Sequence, residues 1–144
     1  MFNPSRDQVR QFFFDVWAKY RAGQLLAGAE QPALDAVLAH PEYHPILDQP
    51  DRYIERDYLP EFGETNPFLH LSMHLAITEQ LTVDQPPGIG ARYQQLLQQL
   101  GDPMAAQHAV MDCLAEMIWQ VQRHNTAFDS TAYLRCLDHK LGRP

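Results

Sequence analysis

His70 and His74 stand four positions apart in the segment Asn66-Pro67-Phe68-Leu69-His70-Leu71-Ser72-Met73-His74-Leu75. On a helix, side chains at i and i+4 lie about 5–6 Å apart at Cβ, so two imidazoles at this spacing can converge on one cation. Their neighbours are apolar almost all the way round: Phe68, Leu69, Leu71, Met73, Leu75, Ala76, Ile77 and Leu81. A helix with so little polar face belongs in an interior. There an imidazole left without a hydrogen-bond partner costs roughly 1–3 kcal/mol. His70 also lies near the positive end of the helix dipole, which favours the neutral ring a metal requires. Leu71 rather than Glu follows His70, so this is not the HExxH protease motif. Glu79, nine positions after His70, points to the opposite side of the helix.

A second set lies between Asp102 and His124. Val110, Met111, Leu114, Met117, Ile118 and Val121 form an apolar stripe, and the opposite side carries His108, Asp112, Glu116, Trp119 and Arg123. His108, Asp112 and Glu116 stack at i, i+4 and i+8 like a ladder of ligands. The two carboxylates repel mildly unless a cation, Arg123 or His108, offsets them. The plainer reading of this ladder is a solvated face, against which Trp119 counts. The expectation is a mononuclear site for a divalent transition metal (Zn, Ni or Fe) on His70, His74 and His108, with Asp112 or Glu116 completing or orienting it. Three histidines with an open position could activate water, but no residue pattern names a substrate or a reaction. The alternative is a metal-free protein–protein interaction module, without cofactor, whose histidines are satisfied inside the core.

His40 and His44 share the same spacing, but Pro41 and Pro45 forbid one continuous helix through both. They are expected to be loop histidines, with His44 a remote candidate ligand. No GxSxG nucleophile motif occurs. Pro87-Gly88-Ile89-Gly90 lacks the preceding strand and the lysine of a phosphate loop.

The elements that must position these residues are helical. Val9, Phe12, Phe13, Val16, Trp17 and Tyr20 recur at three- and four-residue steps, predicting a first helix from about Pro4 to Ala22, capped by Asn3. A short helix follows from Pro32 to about Ala39, stopped by Pro41. From Pro45 to Asn66 the chain reads as irregular, with at most one helical turn. Asn66-Pro67 opens the histidine helix, which runs to about Val83. Ile89 to Leu100 is a helix ended by Gly101, and Asp102-Pro103 opens another that reaches about His124. Ser130 to Leu141 forms the last. Nothing alternates with period two for long enough to predict a strand. The fold class is therefore all-α: a helical bundle of about five to six helices with one long irregular segment, forming a single domain over residues 1–144.

The irregular stretch Gln49 to Thr65 is longer than ordinary structureless loops. It carries Tyr53, Ile54, Tyr58, Leu59 and Phe62, so it is expected to fold over the bundle as an ordered strap. Asp57, Glu61 and Glu64 would then be available as acceptors for imidazole N–H groups. Phe14 sits off the first helix's stripe, and with Phe2 it motivates a small homodimer contact.

Composition limits the partners. The 144 residues are 45 % apolar and 20 % charged, with a formal net charge of −7 and no two adjacent Lys or Arg. A phosphate-tracking surface needs clustered positive charge, so no nucleic acid and no anionic membrane surface is expected; a homodimer or protein partner is. The start of the chain shows no targeting signal, which leaves the cytoplasm as the expected compartment. Cys113 and Cys136 lack CxxC spacing and fall in helical patterns, so free thiols are expected in that reducing setting.

The segments FNPSRDQVRQFFFDVWAKYRAG, HPEYHPIL, TNPFLHLSMHLAITEQLTVDQPPGIG and AQHAVMDCLAEMIWQVQR resemble an uncharacterised bacterial family catalogued as a domain of unknown function, number 1841. The resemblance spans nearly the whole chain, and the third segment is its most specific part. It implies a small bacterial protein and carries no activity or functional residues with it.

Overall fold

A computed structural model describes residues 5–58 and 65–143. Among them it has eight α-helices, one 3-10 turn and no strand. The helices are α1 (Arg6–Arg21), α2 (Glu30–Leu38), α3 (His44–Leu47), α4 (Pro50–Tyr53), α5 (Pro67–Val83), α6 (Ile89–Leu100), α7 (Pro103–His124) and α8 (Ser130–Lys140). The 3-10 turn, Pro41–Tyr43, precedes α3. The all-helical class expected from the sequence holds, with more helices than the five to six predicted. The difference lies in α3 and α4, single turns that use Pro45 and Pro50 in their first turn, where a missing N–H is harmless. The chain divides into two units, Met1–Leu75 and Ala76–Pro144, and α5 contributes its first half to one and its second half to the other.

In the first unit α1 begins two residues later than predicted. Ser5 is the cap: its hydroxyl accepts from the Gln8 N–H, while the Gln8 side chain accepts from the Ser5 N–H. Asn3 and Pro4, the predicted start, lie outside the described residues, as does Phe2. The buried face of α1 is Arg10, Phe13, Phe14, Val16 and Trp17, packed with Ala33, Leu34, Ala36, Val37, Leu47, Phe68 and Leu71. The helix is thus turned further toward Phe14 than its stripe suggested. Phe14 is 3 % exposed and meets the Phe68 ring edge-on at 5.4 Å. Phe14 is therefore not exposed for the homodimer contact expected of it.

Arg10 shares this buried face. Its Nη1 donates to the carbonyls of Tyr53, Ile54 and Arg56 at 3.2, 3.1 and 2.7 Å, tying the end of α4 to α1. Tyr53, Ile54 and Tyr58 pack against the core as the strap predicts, whereas Leu59, Glu61, Phe62 and Glu64 fall outside the described residues. Asp57 turns to the surface and accepts from Arg6 at 2.6 Å, so its carboxylate does not serve an imidazole.

The second unit has an ordinary apolar interior: Ile77, Ile89, Leu96, Ala106, Val110, Met111, Leu114, Met117 and Leu137, with Tyr133 donating to Gln80 at 2.7 Å. Asp102 and Asp129 cap α7 and α8 by accepting from the N–H three residues on. Gly101 takes the left-handed conformation (φ 73°) that ends α6. Cys113 and Cys136 are joined in a disulfide, with Cα atoms 5.8 Å apart, correcting the expectation of free thiols. The pairing depends on which faces α7 and α8 turn to each other, and neither helix's own periodicity records that. No described helix is long and apolar enough to cross a membrane.

Candidate metal centre

The first unit places three imidazoles together. The Asn66 side chain accepts from the N–H groups of Phe68 and Leu69 at 3.0 and 3.2 Å, which starts α5 in a fixed register. His70 and His74 then follow on successive turns, as their spacing requires. His74 is 1 % exposed and its Nε2 lies 3.1 Å from the His70 Nε2.

The third imidazole is His40, assigned to a loop by its prolines. It does follow the end of α2, with φ −125° and ψ 69°, outside the α region that Pro41 disfavours for the residue before it. That break folds the ring back over the last turn of α2. Its Nδ1 lies 2.7 Å from the Ala36 carbonyl. A carbonyl can only accept, so Nδ1 carries the proton and donates. In the neutral ring Nε2 is then a bare lone pair, and it lies 3.0 Å from the His70 Nε2. His40 is 5 % exposed, so the residue expected on a loop is part of the interior. The signal that could have found it is Pro41, which ends α2 and also sets the turn that aims the ring inward.

His44 does not join them. Its Nε2 donates to the Val37 carbonyl at 2.8 Å and its ring lies on Trp17 at 4.4 Å. Tyr43 covers the cluster from one side: its ring stacks on His40 at 5.4 Å with only 8° between the planes and meets His70 edge-on at 6.0 Å. Burial, reinforced by the neighbouring charge of Glu42, holds the Tyr43 phenol above its ordinary pKa, so it stays protonated.

The donor set fits a cation. Two metal–nitrogen bonds of about 2.0–2.1 Å at a tetrahedral angle place their nitrogens about 3.3 Å apart. The observed Nε2 separations are 3.0 and 3.1 Å, and the ligand nitrogens of His40, His70 and His74 all lie within 4.8 Å of one another. The Ala36 carbonyl behind His40 is the kind of outer partner that fixes the tautomer of a metal-bound imidazole.

The residues predicted on α7 divide. His108 is half-buried, whereas Asp112, Glu116 and Trp119 are exposed. Asp112 pairs with Lys140 at 2.9 Å, Glu116 accepts from Gln120 at 2.9 Å, and Arg123 lies over Trp119. The repulsion expected between the two carboxylates is relieved by a lysine from α8, a partner that the spacing on α7 could not reveal.

A helical chain with a buried imidazole cluster is the class that fold and site define. The chain belongs to the family described as Domain of unknown function (DUF1841), whose model matches residues 5–139. No curated protein and no solved structure matches it.

Proposed function

We propose that this chain binds a divalent transition metal (Zn, Ni or Fe) through the Nε2 atoms of His40, His70 and His74. The observation that carries the reading is the convergence of three imidazole nitrogens, one of them locked as a lone pair by the Ala36 carbonyl. Buried lone pairs need positive charge or protons opposite them, and one cation serves all three at once. His108, in the second unit, is left outside this ligand set. Asp112 and Glu116 are left out as well: both are exposed, and each already gives one oxygen to Lys140 or Gln120.

Four protein ligands around one ion make a closed, structural site, whereas three leave a position at which water can be activated. The number of ligands therefore separates a structural metal from a hydrolytic or transfer centre. The rival is a metal-free interaction module in which the imidazoles bond to one another. Elemental analysis of untagged protein decides between them: one equivalent of metal is expected in the wild type and none in His74→Ala. A metal-free wild type whose melting temperature does not rise with Zn, Ni, Fe or Mn would sink the proposal.

A further inference from the structure

Arg10 is 2 % exposed, yet among the described residues no carboxylate lies within ion-pair distance of it. Asp57, the acid nearest in kind, is bound to Arg6. A buried guanidinium is ordinarily paired, because taking a charge out of water is costly. Here burial, with the like charge of Arg6 one turn away, holds its pKa below the ordinary value.

The hydrogen bonds of this group are lopsided. All three leave from Nη1, to the carbonyls of Tyr53, Ile54 and Arg56. Nε is buried and has no partner. The guanidinium carbon lies 4.8 Å from the Phe68 ring and 5.7 Å from the Tyr58 ring, so aromatic rings occupy its faces and further donation must run in its plane. With the Nη1 side spent on carbonyls, the edge that remains is Nε–Nη2. Two parallel N–H bonds leave that edge in the geometry that matches the two oxygens of a carboxylate.

Arg10 also lines a cavity of about 220 Å³, together with Arg6, Val9, Asn66, Phe68, Leu69 and Ser72. The cavity lies at the first turn of α5, whose N–H groups are already taken by Asn66, so the guanidinium is the group that would hold an anion. Val9, Phe68 and Leu69 give it apolar walls, and its volume is below the usual range for drug-sized ligands. We propose that it binds a small carboxylic acid, the carboxylate on the Nε–Nη2 edge of Arg10 and a short apolar body against Val9, Phe68 and Leu69. The site uses none of the imidazoles and stands apart from the metal reading.

Butyrate titrated into ¹⁵N-labelled full-length protein tests this directly, with the Arg10 Nε–H resonance as the readout. Saturable movement of that resonance is expected, and sodium chloride at equal ionic strength should leave it in place. Arg10→Lys keeps the charge and loses the two-pronged edge, so binding should weaken at least about tenfold, the cost of one charge-assisted bond. Because Arg10 also ties down three carbonyls, a second variant guards against misfolding. Leu69 is 58 % exposed, and Leu69→Trp should narrow the cavity and weaken butyrate binding while the melting temperature stays at the wild-type value. An Arg10 resonance that butyrate does not move would overturn the assignment. So would inorganic phosphate binding more tightly than butyrate, or Leu69→Trp binding as the wild type does.

Discussion

The two units fill their interiors in different ways. The three residues that are both buried and polar or charged, Arg10, His40 and His74, all lie in the first unit among the described residues. The second unit is filled by aliphatic side chains, one tyrosine with a side-chain partner, and a disulfide. Aliphatic packing and a covalent bridge stabilise a fold without further demands. Buried imidazoles, and a guanidinium with no carboxylate beside it among the described residues, cost desolvation and mark places where something can be held. The contrast puts the buried polar groups, and with them the proposed ligands His40, His70 and His74, in the first unit.

The sharpest way to break this comparison is to remove a ligand. His40→Ala should abolish stoichiometric metal binding, whereas His44→Ala, whose ring is engaged with Val37 and Trp17, should retain the metal. Elemental analysis of the two purified variants reads the difference. Equal metal content in both would remove His40 from the site.

A smaller effect is expected from the second unit's bridge. The disulfide spans a sequence separation of 23 residues, and closing a loop of that order is worth roughly 3 kcal/mol. Replacing both Cys113 and Cys136 by Ser should lower the urea-unfolding free energy by about that much. Amide exchange should rise in α7 and α8 while the metal content is unchanged. Loss of metal in this variant would show that the division of labour is drawn in the wrong place.

Capping gives a finer comparison. Asp102→Ala removes the acceptor for the Ala105 N–H and should cost about 1 kcal/mol, with the second unit carrying the loss. Denaturation monitored at Trp17, in the first unit, against exchange in α7 would show where the loss falls.

The smallest expected effect is a pH dependence. Asp138 is held below the ordinary carboxylate pKa chiefly by the hydrogen bonds from Arg92, with Arg143 adding to it. A depressed folded-state value means the contribution is complete above the unfolded value of about 3.9 and fades as pH falls through the lower folded one. The melting temperature should therefore drop below about pH 4, and less steeply in Asp138→Asn. Asp48, in the first unit, is depressed mainly by the neutral indole N–H of Trp17. Added salt should accordingly weaken the Asp138 contribution more than that of Asp48.

What the sequence determined by itself is local. Asn66-Pro67, Asp102-Pro103 and Gly101 mark helix ends because caps and left-handed stops act within four residues, and α5 and α7 run over the predicted ranges. The pairing of His70 with His74 follows from helix geometry alone. Tertiary structure decided everything that depends on a second element. Pro41 announces that a helix ends, but only the tertiary fold brings the ring that follows this break within 3.0 Å of His70. Phe14 enters the core against Phe68, on the same face as Arg10, whose Nη1 reaches the carbonyls of residues 53, 54 and 56. Cys113 meets Cys136, and Asp112 meets Lys140, because of how α7 and α8 face each other. Periodicity records which residues share a face of one helix; it carries no information about which partner that face will meet.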